Sequence, residues 1–138
     1  MNSLIFIQHI FRVKPVVIFP TQKRIICIDE SGDDCELFSV VLTQAGYEVK
    51  SATSFKSSLQ FIENSQFNLC IANISLFRHG GFELLEEIRA VYPSIPLIIC
   101  SPDARDSTRE QAMQLGVQAF LTKPVDFDLL VETVAQLI

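Results

Sequence analysis

The sequence predicts an α/β domain built on an open, five-stranded parallel sheet with helices on both faces. Short apolar segments recur along the chain, and each is followed by a stretch whose apolar residues lie at helical spacing. Repeats of this kind form parallel sheets, because right-handed crossovers return each helix to a face of the sheet. A chain of 138 residues suits one such domain.

The first repeat begins with residues 25–28, a continuous apolar run typical of a central parallel strand. The run ends at Asp29 and Glu30, and residues 31–33 supply loop and capping chemistry. Gly46 is expected to end the following helix. Its apolar residues at helical spacing are Leu37, Phe38, Val41, Leu42 and Ala45.

The next two repeats are less alike. Residues 47–52 alternate, with Tyr47, Val49 and Ser51 on one face, which indicates a half-exposed edge strand. Thr53 or Ser54 can cap a helix that carries Phe55, Leu59 and Ile62. Residues 69–72 then form a buried strand that ends on Asn73. Gly80 and Gly81 precede a third helix, whose apolar residues are Leu84, Leu85, Ile88 and Val91.

The last two repeats complete the predicted sheet. Residues 93–96 end the third helix, and residues 97–100 form a strand that stops at Ser101. A polar helix over residues 106–115 ends at Gly116, and residues 119–122 form the fifth strand before Lys123 and Pro124. The last helix starts near Asp126 and is expected to face inward with Leu130, Val131, Val134 and Leu137.

Composition limits the possible functions. The chain is 49% hydrophobic and 20% charged, with a net charge of −5. It has no Lys/Arg-rich cluster, which argues against a nucleic-acid partner.

Residues 1–22 are strongly apolar, but Arg12, Lys14 and Pro15 leave no uncharged run long enough for a membrane span, and no signal-peptide pattern is present. We therefore expect a cytoplasmic protein with a domain at 23–138. The extension could be an extra strand, a docking segment or the product of a misassigned start.

The cysteines are interpreted as small buried hydrophobes in a reducing compartment rather than as zinc ligands or disulfides. They form no CxxC pair, and Cys27, Cys70 and Cys100 each lie in an apolar run, while Cys35 does not. His9 and His79 have no metal-ligand spacing to each other or to a cysteine.

Polar residues follow the predicted strands at one edge of the sheet, where parallel α/β folds place their sites. They are Asp29, Glu30, Asn73, Ser101 and Lys123. Carboxylates suit a hard divalent cation, and a hydroxyl with an ammonium suits the oxygens of a phosphoryl group.

The chain resembles the receiver domains of bacterial response regulators, the CheY-like family, over residues 21–138. The resemblance rests on the segments IICIDE at 25–30, QAGYEV at 44–49, ISLFRHGGFELLEEIR at 74–89, IPLIICS at 95–101 and AFLTKPV at 119–125. It implies a flavodoxin-like, doubly wound sheet with strand order 2-1-3-4-5 and a role in two-component phosphorelay signal transduction.

The resemblance also implies roles for individual residues. Asp29 and Glu30, with the backbone carbonyl of Ser75, match the Mg²⁺ site. Ser101 and Lys123 match the residues that contact the phosphoryl group, and Phe120 matches the switch aromatic. Asn73 lies where the family has its phosphoaccepting aspartate, and Phe77 is a second departure, at a position that often carries proline.

Asn73 changes the expected chemistry. An uncharged carboxamide is a poor nucleophile and cannot form the acyl phosphate. The loss of one negative charge also weakens Mg²⁺ binding, so we expect at most a weak Mg²⁺ site, no other cofactor and no enzymatic activity.

Simpler roles stay open for the same residues. Asp29 and Glu30 could be a solvated loop pair, and Ser101 and Lys123 could hold each other's loops. Phe120 could be a static core aromatic, and Asn73 could cap a loop.

Two functions follow from this interpretation. The first is a stand-alone pseudo-receiver, an adaptor that binds a histidine kinase, a phosphotransfer protein or a downstream effector, with a homodimer also open. Its expected partner face consists of Asp106, Arg109, Glu110 and Gln114. The alternative is a competent response regulator that is phosphorylated at another residue or after deamidation of Asn73. In either case any output is expected to come from another protein.

Overall fold

A computed structural model describes residues 22–73 and 81–138. The strands are β1 (Arg24–Ile28), β2 (Glu48–Ala52), β3 (Leu69–Asn73), β4 (Leu97–Ser101) and β5 (Ala119–Thr122). The helices are α1 (Gly32–Gln44), α2 (Phe55–Asn64), α3 (Gly81–Val91), α4 (Asp106–Gln114) and α5 (Phe127–Leu137). The predictions for residues 1–21 and for Ser75, Phe77 and His79 lie outside the described residues.

The five strands form one parallel sheet in the order β2-β1-β3-β4-β5, which confirms the predicted fold class. All residues of β3 and β4 are buried, as expected for strands covered on both faces. Side chains alternate across the sheet, so the strands contribute to two cores. Ile26 and Ile28 face the core that also contains Leu84 and Ile88. Ile25 and Cys27 face the core that contains Phe38 and Leu130.

Side-chain caps fix the start of three helices. Ser31 Oγ accepts a hydrogen bond of 3.3 Å from the Asp34 backbone N–H at the start of α1. Ser54, rather than Thr53, caps α2 through a capping box with Ser57. Asp126 caps α5 by accepting from the N–H groups of the second and third residues of that helix.

Two glycines allow the chain to turn after α1 and α4. Gly46 has a φ of +102° and Gly116 a φ of +73°, in the left-handed region that L-residues with a Cβ rarely adopt. The prediction that these glycines end their helices is confirmed.

Four details of the predicted burial are wrong, and the first is Ala45, which is an exposed residue at the C-cap of α1. Leu37 in α1 is 52% exposed and Val91 at the end of α3 is 43% exposed. The inward residues of α1 are Cys35, Phe38 and Leu42, so Leu37 lies about 100° around the helix from Phe38. In β2, Ser51 is exposed while Ala52 is buried in the core, so the alternation does not extend to the end of the strand.

Arg89 ties α3 to the segment before β4 and to the end of α4. Its Nε donates to the carbonyl of Leu115 at 3.0 Å, and Nη2 donates to the carbonyl of Gly116 at 2.6 Å. Nη1 donates to the carbonyl of Ile95 at 2.5 Å. The side chain therefore satisfies carbonyls at the end of α4 that the helix itself leaves without partners.

Candidate functional site

The carboxyl edge of the sheet brings the predicted residues together. Asp29 directly follows β1 and is 2% exposed, and its N–H donates to the carbonyl of Ala52 at 3.0 Å. Asn73 is the last residue of β3 and Ser101 the last of β4, and both are buried. The register places Asn73 beside Cys100, one residue before Ser101. Lys123 directly follows β5, so four of the five predicted residues border the same edge at buried or half-buried positions.

Two carboxylates hold the ammonium group of Lys123. Its Nζ lies 3.0 Å from Asp29 Oδ2 and 2.8 Å from Asp34 Oδ2. Burial alone would lower the pKa of Lys123, but the hydrogen bonds to Asp34 and Asp29 outweigh it and raise the pKa above its ordinary value. Charge-assisted hydrogen bonds of this kind are among the stronger polar contacts in proteins. The loop after β5 is thereby joined to β1 and to the first turn of α1.

Asp34 is a site residue that the sequence reasoning missed. It lies in the first turn of α1, where a carboxylate also interacts favourably with the helix dipole. The sequence did contain a sign of this role. Asp34 lies in the first turn of a helix that follows Asp29 after only a short loop, so its side chain could be expected near the same edge of the sheet.

The carboxylate oxygens of Asp29, the buried member of the acidic pair, both accept hydrogen bonds from the chain itself. Asp29 Oδ1 accepts from the Ser31 N–H at 2.8 Å, and Oδ2 accepts from Lys123. Glu30 is exposed, and the predicted carbonyl ligand at Ser75 lies outside the described residues. Within residues 22–73 and 81–138, no group of three or more His, Cys, Asp or Glu side chains is placed to bind a metal ion. With an ammonium on Asp29 and an amide at position 73, the donor set does not fit Mg²⁺ well.

Ser101 organises the loop between β4 and α4. Its Oγ accepts from the Asp103 N–H at 3.0 Å. Asp103 in turn accepts from Thr108 Oγ1 at 2.8 Å and from the guanidinium of Arg105, with Nη2 at 2.6 Å. The side-chain and backbone hydrogen bonds from Arg105 lower the pKa of Asp103, and Thr108 lowers it further. Sequence reasoning did not identify Asp103.

Ser101 and Lys123 also meet through the backbone. The Lys123 N–H donates to the carbonyl of Ser101 at 2.8 Å, and the Lys123–Pro124 peptide bond is cis. This contact uses backbone atoms only, so it does not depend on which side chains stand at positions 101 and 123.

Phe120 is linked to the predicted partner face. The guanidinium carbon of Arg109 lies 5.2 Å from the centre of the Phe120 ring, a cation–π distance. Phe120 is half-buried and packs against the core. All four residues predicted for the partner face are exposed: Asp106, Arg109, Glu110 and Gln114. This surface is available to a partner.

A cleft of about 450 Å³ opens beside the ion pairs. Lys123 and Asp34 form its polar end, and its other lining residues are apolar: Leu37, Phe38, Pro102, Pro124, Val125 and Phe127. The rings of Phe38 and Phe127 meet edge to face at 6.1 Å and form one wall.

This fold and this edge of the sheet identify the class of protein. Residues 25–135 match the response regulator receiver domain family. The chain therefore belongs to the receiver domains of two-component response regulators, and the resemblance noted in the sequence is confirmed at that level.

Curated relatives agree with this assignment. The chain is 30% identical over 109 residues to the transcriptional regulatory protein ZraR of Salmonella typhimurium, covering 79% of this chain and 25% of the relative. It is 31% identical over 111 residues to the transcriptional regulatory protein GlrR of Escherichia coli K12, covering 80% of this chain and 25% of that relative. The chain thus spans about a quarter of the length of these relatives.

Solved structures show the same fold. A CheY-like response regulator receiver domain protein from Methanospirillum hungatei superposes with a TM-score of 0.79 at 29% identity, covering 84% of this chain and 93% of the other. The chemotaxis protein CheY4 of Vibrio cholerae gives a TM-score of 0.79 at 21% identity, covering 86% of this chain and 100% of the other, and it supports the fold alone.

None of the helices in the described part of the chain has the length and apolar character needed to cross a membrane.

Proposed function

We propose that this receiver domain is a pseudo-receiver, a phosphorylation-independent protein-interaction module of a two-component signalling pathway. Its partner would be a histidine kinase, a phosphotransfer protein or a downstream effector. The observation that carries the proposal is Asn73, an uncharged amide that ends the central strand among Asp29, Ser101 and Lys123. Aspartyl phosphate chemistry needs a carboxylate nucleophile, and the carboxamide oxygen is too weak to attack phosphorus.

The ion pairs of Lys123 support the same proposal. A lysine beside a phosphoryl site serves by pairing with the incoming negative charge. Here Asp29 and Asp34 already supply that negative charge at 3.0 and 2.8 Å. The ammonium of Lys123 is therefore already paired with the chain's own carboxylates, and the cluster of one ammonium and two carboxylates keeps a net negative charge, which disfavours an incoming phosphate.

The test is phosphorylation by a small donor. The protein is incubated with Mg²⁺ and acetyl phosphate, and its intact mass is measured beside that of the matched variant Asn73→Asp. We expect no adduct on the natural sequence and one phosphoryl group on the variant, which shows that the remaining pocket can bind the donor. A stoichiometric adduct on the natural sequence would sink the proposal.

The same experiment tests the alternative, a competent regulator. Fragmentation of any adduct would place the phosphate either on another residue or on an aspartate formed by deamidation of Asn73. Deamidation at Asn73 is slow on chemical grounds, because the branched side chain of Ile74 hinders attack by the backbone nitrogen.

We further propose that the partner binds the exposed face defined by Asp106, Arg109, Glu110 and Gln114. Arg109 would report binding to the interior through its contact with Phe120. Capture of partners from the native cells by the natural protein and by Arg109→Glu tests this face. The control is Lys56→Glu, the same charge change at an exposed position of α2. Loss of capture with Arg109→Glu alone is expected, and equal capture by both variants contradicts the proposed face.

The predicted stand-alone arrangement and cytoplasmic location belong to the proposal as well. An antibody against this domain, used on fractionated native cells, would show both the mass of the protein that carries the domain and its compartment. A homodimer is tested by measuring the mass of the purified protein in solution.

A further inference from the structure

The cleft between α1 and α5 is bordered by exposed apolar side chains. Leu37 of α1 and Phe127 of α5 both line this α1–α5 cleft, and both are exposed. Val40, also exposed, lies one turn after Leu37 on the same side of α1. Neighbouring apolar side chains that are left in solvent beside a cleft are typical of a binding surface.

The two helices beside the cleft carry acidic residues and no basic ones. Residues 31–45 and 124–138 contain no Lys, Arg or His. Five of their acidic residues are exposed and one is half-buried; they are Asp33, Asp34, Glu36, Asp126, Asp128 and Glu132. The ammonium of Lys123, at the polar end of the cleft, is already paired with Asp29 and Asp34. An occupant that complements this surface is therefore apolar and positively charged, whereas a second copy of the same surface would bring acidic residues against acidic residues.

Residues 1–21 of the chain have the composition that the cleft requires. Twelve of these residues are Met, Leu, Ile, Val or Phe. None is Asp or Glu, and the charged side chains among them are Arg12 and Lys14. The first acidic residue of the whole chain is Asp29. The segment is thus the apolar and basic counterpart of an apolar and acidic surface.

The segment joins the domain at the far end of α1. Gln22 Nε2 donates to the carbonyl of Gly46 at 3.0 Å, and Gly46 follows the C-terminal end of α1. The 13 residues of α1 span about 20 Å, and the cleft lies at its N-terminal half. Since 21 residues can reach up to about 70 Å, the segment is long enough to pass from Gly46 along Val40 to the cleft.

We propose that residues 1–21 bind in the α1–α5 cleft of their own chain. Their apolar side chains would cover Leu37, Val40 and Phe127, and Arg12 and Lys14 would lie near the acidic residues of the two helices. Because the segment is covalently attached, its effective concentration at the cleft is on the order of millimolar, so even a weak contact forms.

A segment bound in the cleft would act as an autoinhibitory contact. It would cover the ion pair of Asp34 and Lys123 and exclude another protein from the surface of α1 and α5, while the face at Arg109 stays open. The proposal is independent of the proposed pseudo-receiver function, because it involves neither Asn73 nor the face at Arg109.

The test uses the full chain with the photoreactive residue benzoylphenylalanine in place of Leu37, which is exposed beside the cleft. The purified protein is irradiated at low concentration, the monomer is isolated, and crosslinked peptides are identified after trypsin digestion. Trypsin releases the segment as peptides 1–12 and 13–23, because Pro15 blocks cleavage after Lys14. We expect position 37 to be joined to one or both of these peptides within the monomer.

Met113 provides the matched control. Like Leu37 it is apolar and 52% exposed, but it lies on α4. The same photoreactive residue at position 113 should reach the segment at least about fivefold less often, because the bound segment is no longer free to sample other surfaces. Equal yields from the two positions, or no crosslink from position 37 to either peptide, would overturn the proposal.

Other occupants give different crosslinks. Joining of position 37 to a second chain would assign the cleft to a homodimer. Joining to another protein in irradiated native cells, without any crosslink to peptides 1–12 and 13–23, would assign the cleft to a partner. Either result overturns binding by the chain's own segment.

Charge reversal tests the electrostatic part of the proposal. Arg12→Glu combined with Lys14→Glu should lower the crosslink yield from position 37 about fivefold, because attraction to the acidic helices becomes repulsion. Adding Glu36→Lys and Asp128→Lys, at exposed positions of α1 and α5, should restore the yield. The control Lys56→Glu reverses a charge on α2 and should change nothing. An unchanged yield after reversal at positions 12 and 14 contradicts the proposed complementarity, and the crosslinks of the chain with its natural charges decide even if a charge variant fails to fold.

Discussion

The Lys123 ammonium nitrogen lies 2.8 Å from Asp34 Oδ2, although 89 residues separate the two in the chain. The same nitrogen lies 3.0 Å from Asp29 Oδ2. Three elements therefore meet at one cation: the loop after β5, the end of β1 and the first turn of α1. The two carboxylates differ in exposure, at 2% for Asp29 and 40% for Asp34, so we expect them to contribute differently to stability.

Replacing Asp34 should have a small effect. Asp34→Asn removes one partner of Lys123, and because that carboxylate is 40% exposed, we expect a loss of only about 0.5–1 kcal/mol in the free energy of unfolding. Urea titration measures the loss. The matched control is Asp33→Asn, which removes a charge from the same first turn at an exposed position. Equal losses in the two variants would mean that the helix dipole, and not Lys123, accounts for the effect.

Replacing Lys123 should cost more. Lys123→Met leaves the buried carboxylate of Asp29 without its cation, a change that typically costs about 3–5 kcal/mol. Adding Asp29→Asn to that variant should recover part of the loss, because the buried charge is then gone. Urea titrations of the two single variants and the double variant give the coupling between the residues. A loss no larger than that of Asp34→Asn would contradict the importance of the buried pair.

The guanidinium of Arg89 offers a test away from the site. Arg89→Lys keeps the positive charge but cannot reach the carbonyls of Leu115, Gly116 and Ile95 together. We expect a loss of about 1.5–3 kcal/mol and faster amide exchange at the end of α4. The control is Arg105→Lys, at a side chain that is 77% exposed. If both variants exchange alike, the carbonyl contacts of Arg89 do not hold α4.

Alkaline pH should destabilise the fold through Cys70 and Cys100. Burial raises the pKa of each thiol to about 12, whereas the unfolded chain has the ordinary value of 9.0. Between these values the unfolded chain binds fewer protons than the folded protein, so stability falls as pH rises from about 9 toward 12.

A comparison of variants separates this effect from that of other groups. Lys123, whose folded pKa is also raised, contributes to the dependence of stability on alkaline pH. The measurement is therefore the difference in pH slope between the natural protein and a Cys70→Ala, Cys100→Ala double variant, which should be the less sensitive of the two. Identical slopes would show that the thiols do not carry the effect.

The repeating strands and helices were predictable because each depends on a local pattern. Residues 25–28 and 97–100 are apolar runs that can only be buried on both faces, and Ser54, Gly46 and Gly116 act within one turn of the chain. The site residues at the strand ends were predictable for a related reason, since parallel strands bring their carboxyl ends to one edge.

What escaped prediction depends on contacts between distant segments. Asp34 looked like one more acidic residue of a helix start, and its pairing with Lys123 is set by how α1 packs on the sheet. Leu37 satisfies a helical pattern as well as Phe38 does, and only the rotation of α1 decides which of them is buried. Asp103 acquires its role from the fold of the loop after β4, which no periodicity encodes.

The central strand β3 determines which parts of the molecule can respond to a partner. It pairs with β1 on one side and β4 on the other, and every residue of it is buried. Its amide protons should be among the last to exchange with solvent, because their release requires the whole sheet to open. Asn73 therefore lies at the end of a strand that we expect to be rigid. We therefore expect a bound partner to be sensed by the described parts around β3, such as the start of α1, the loop at Asp103 and the face at Arg109.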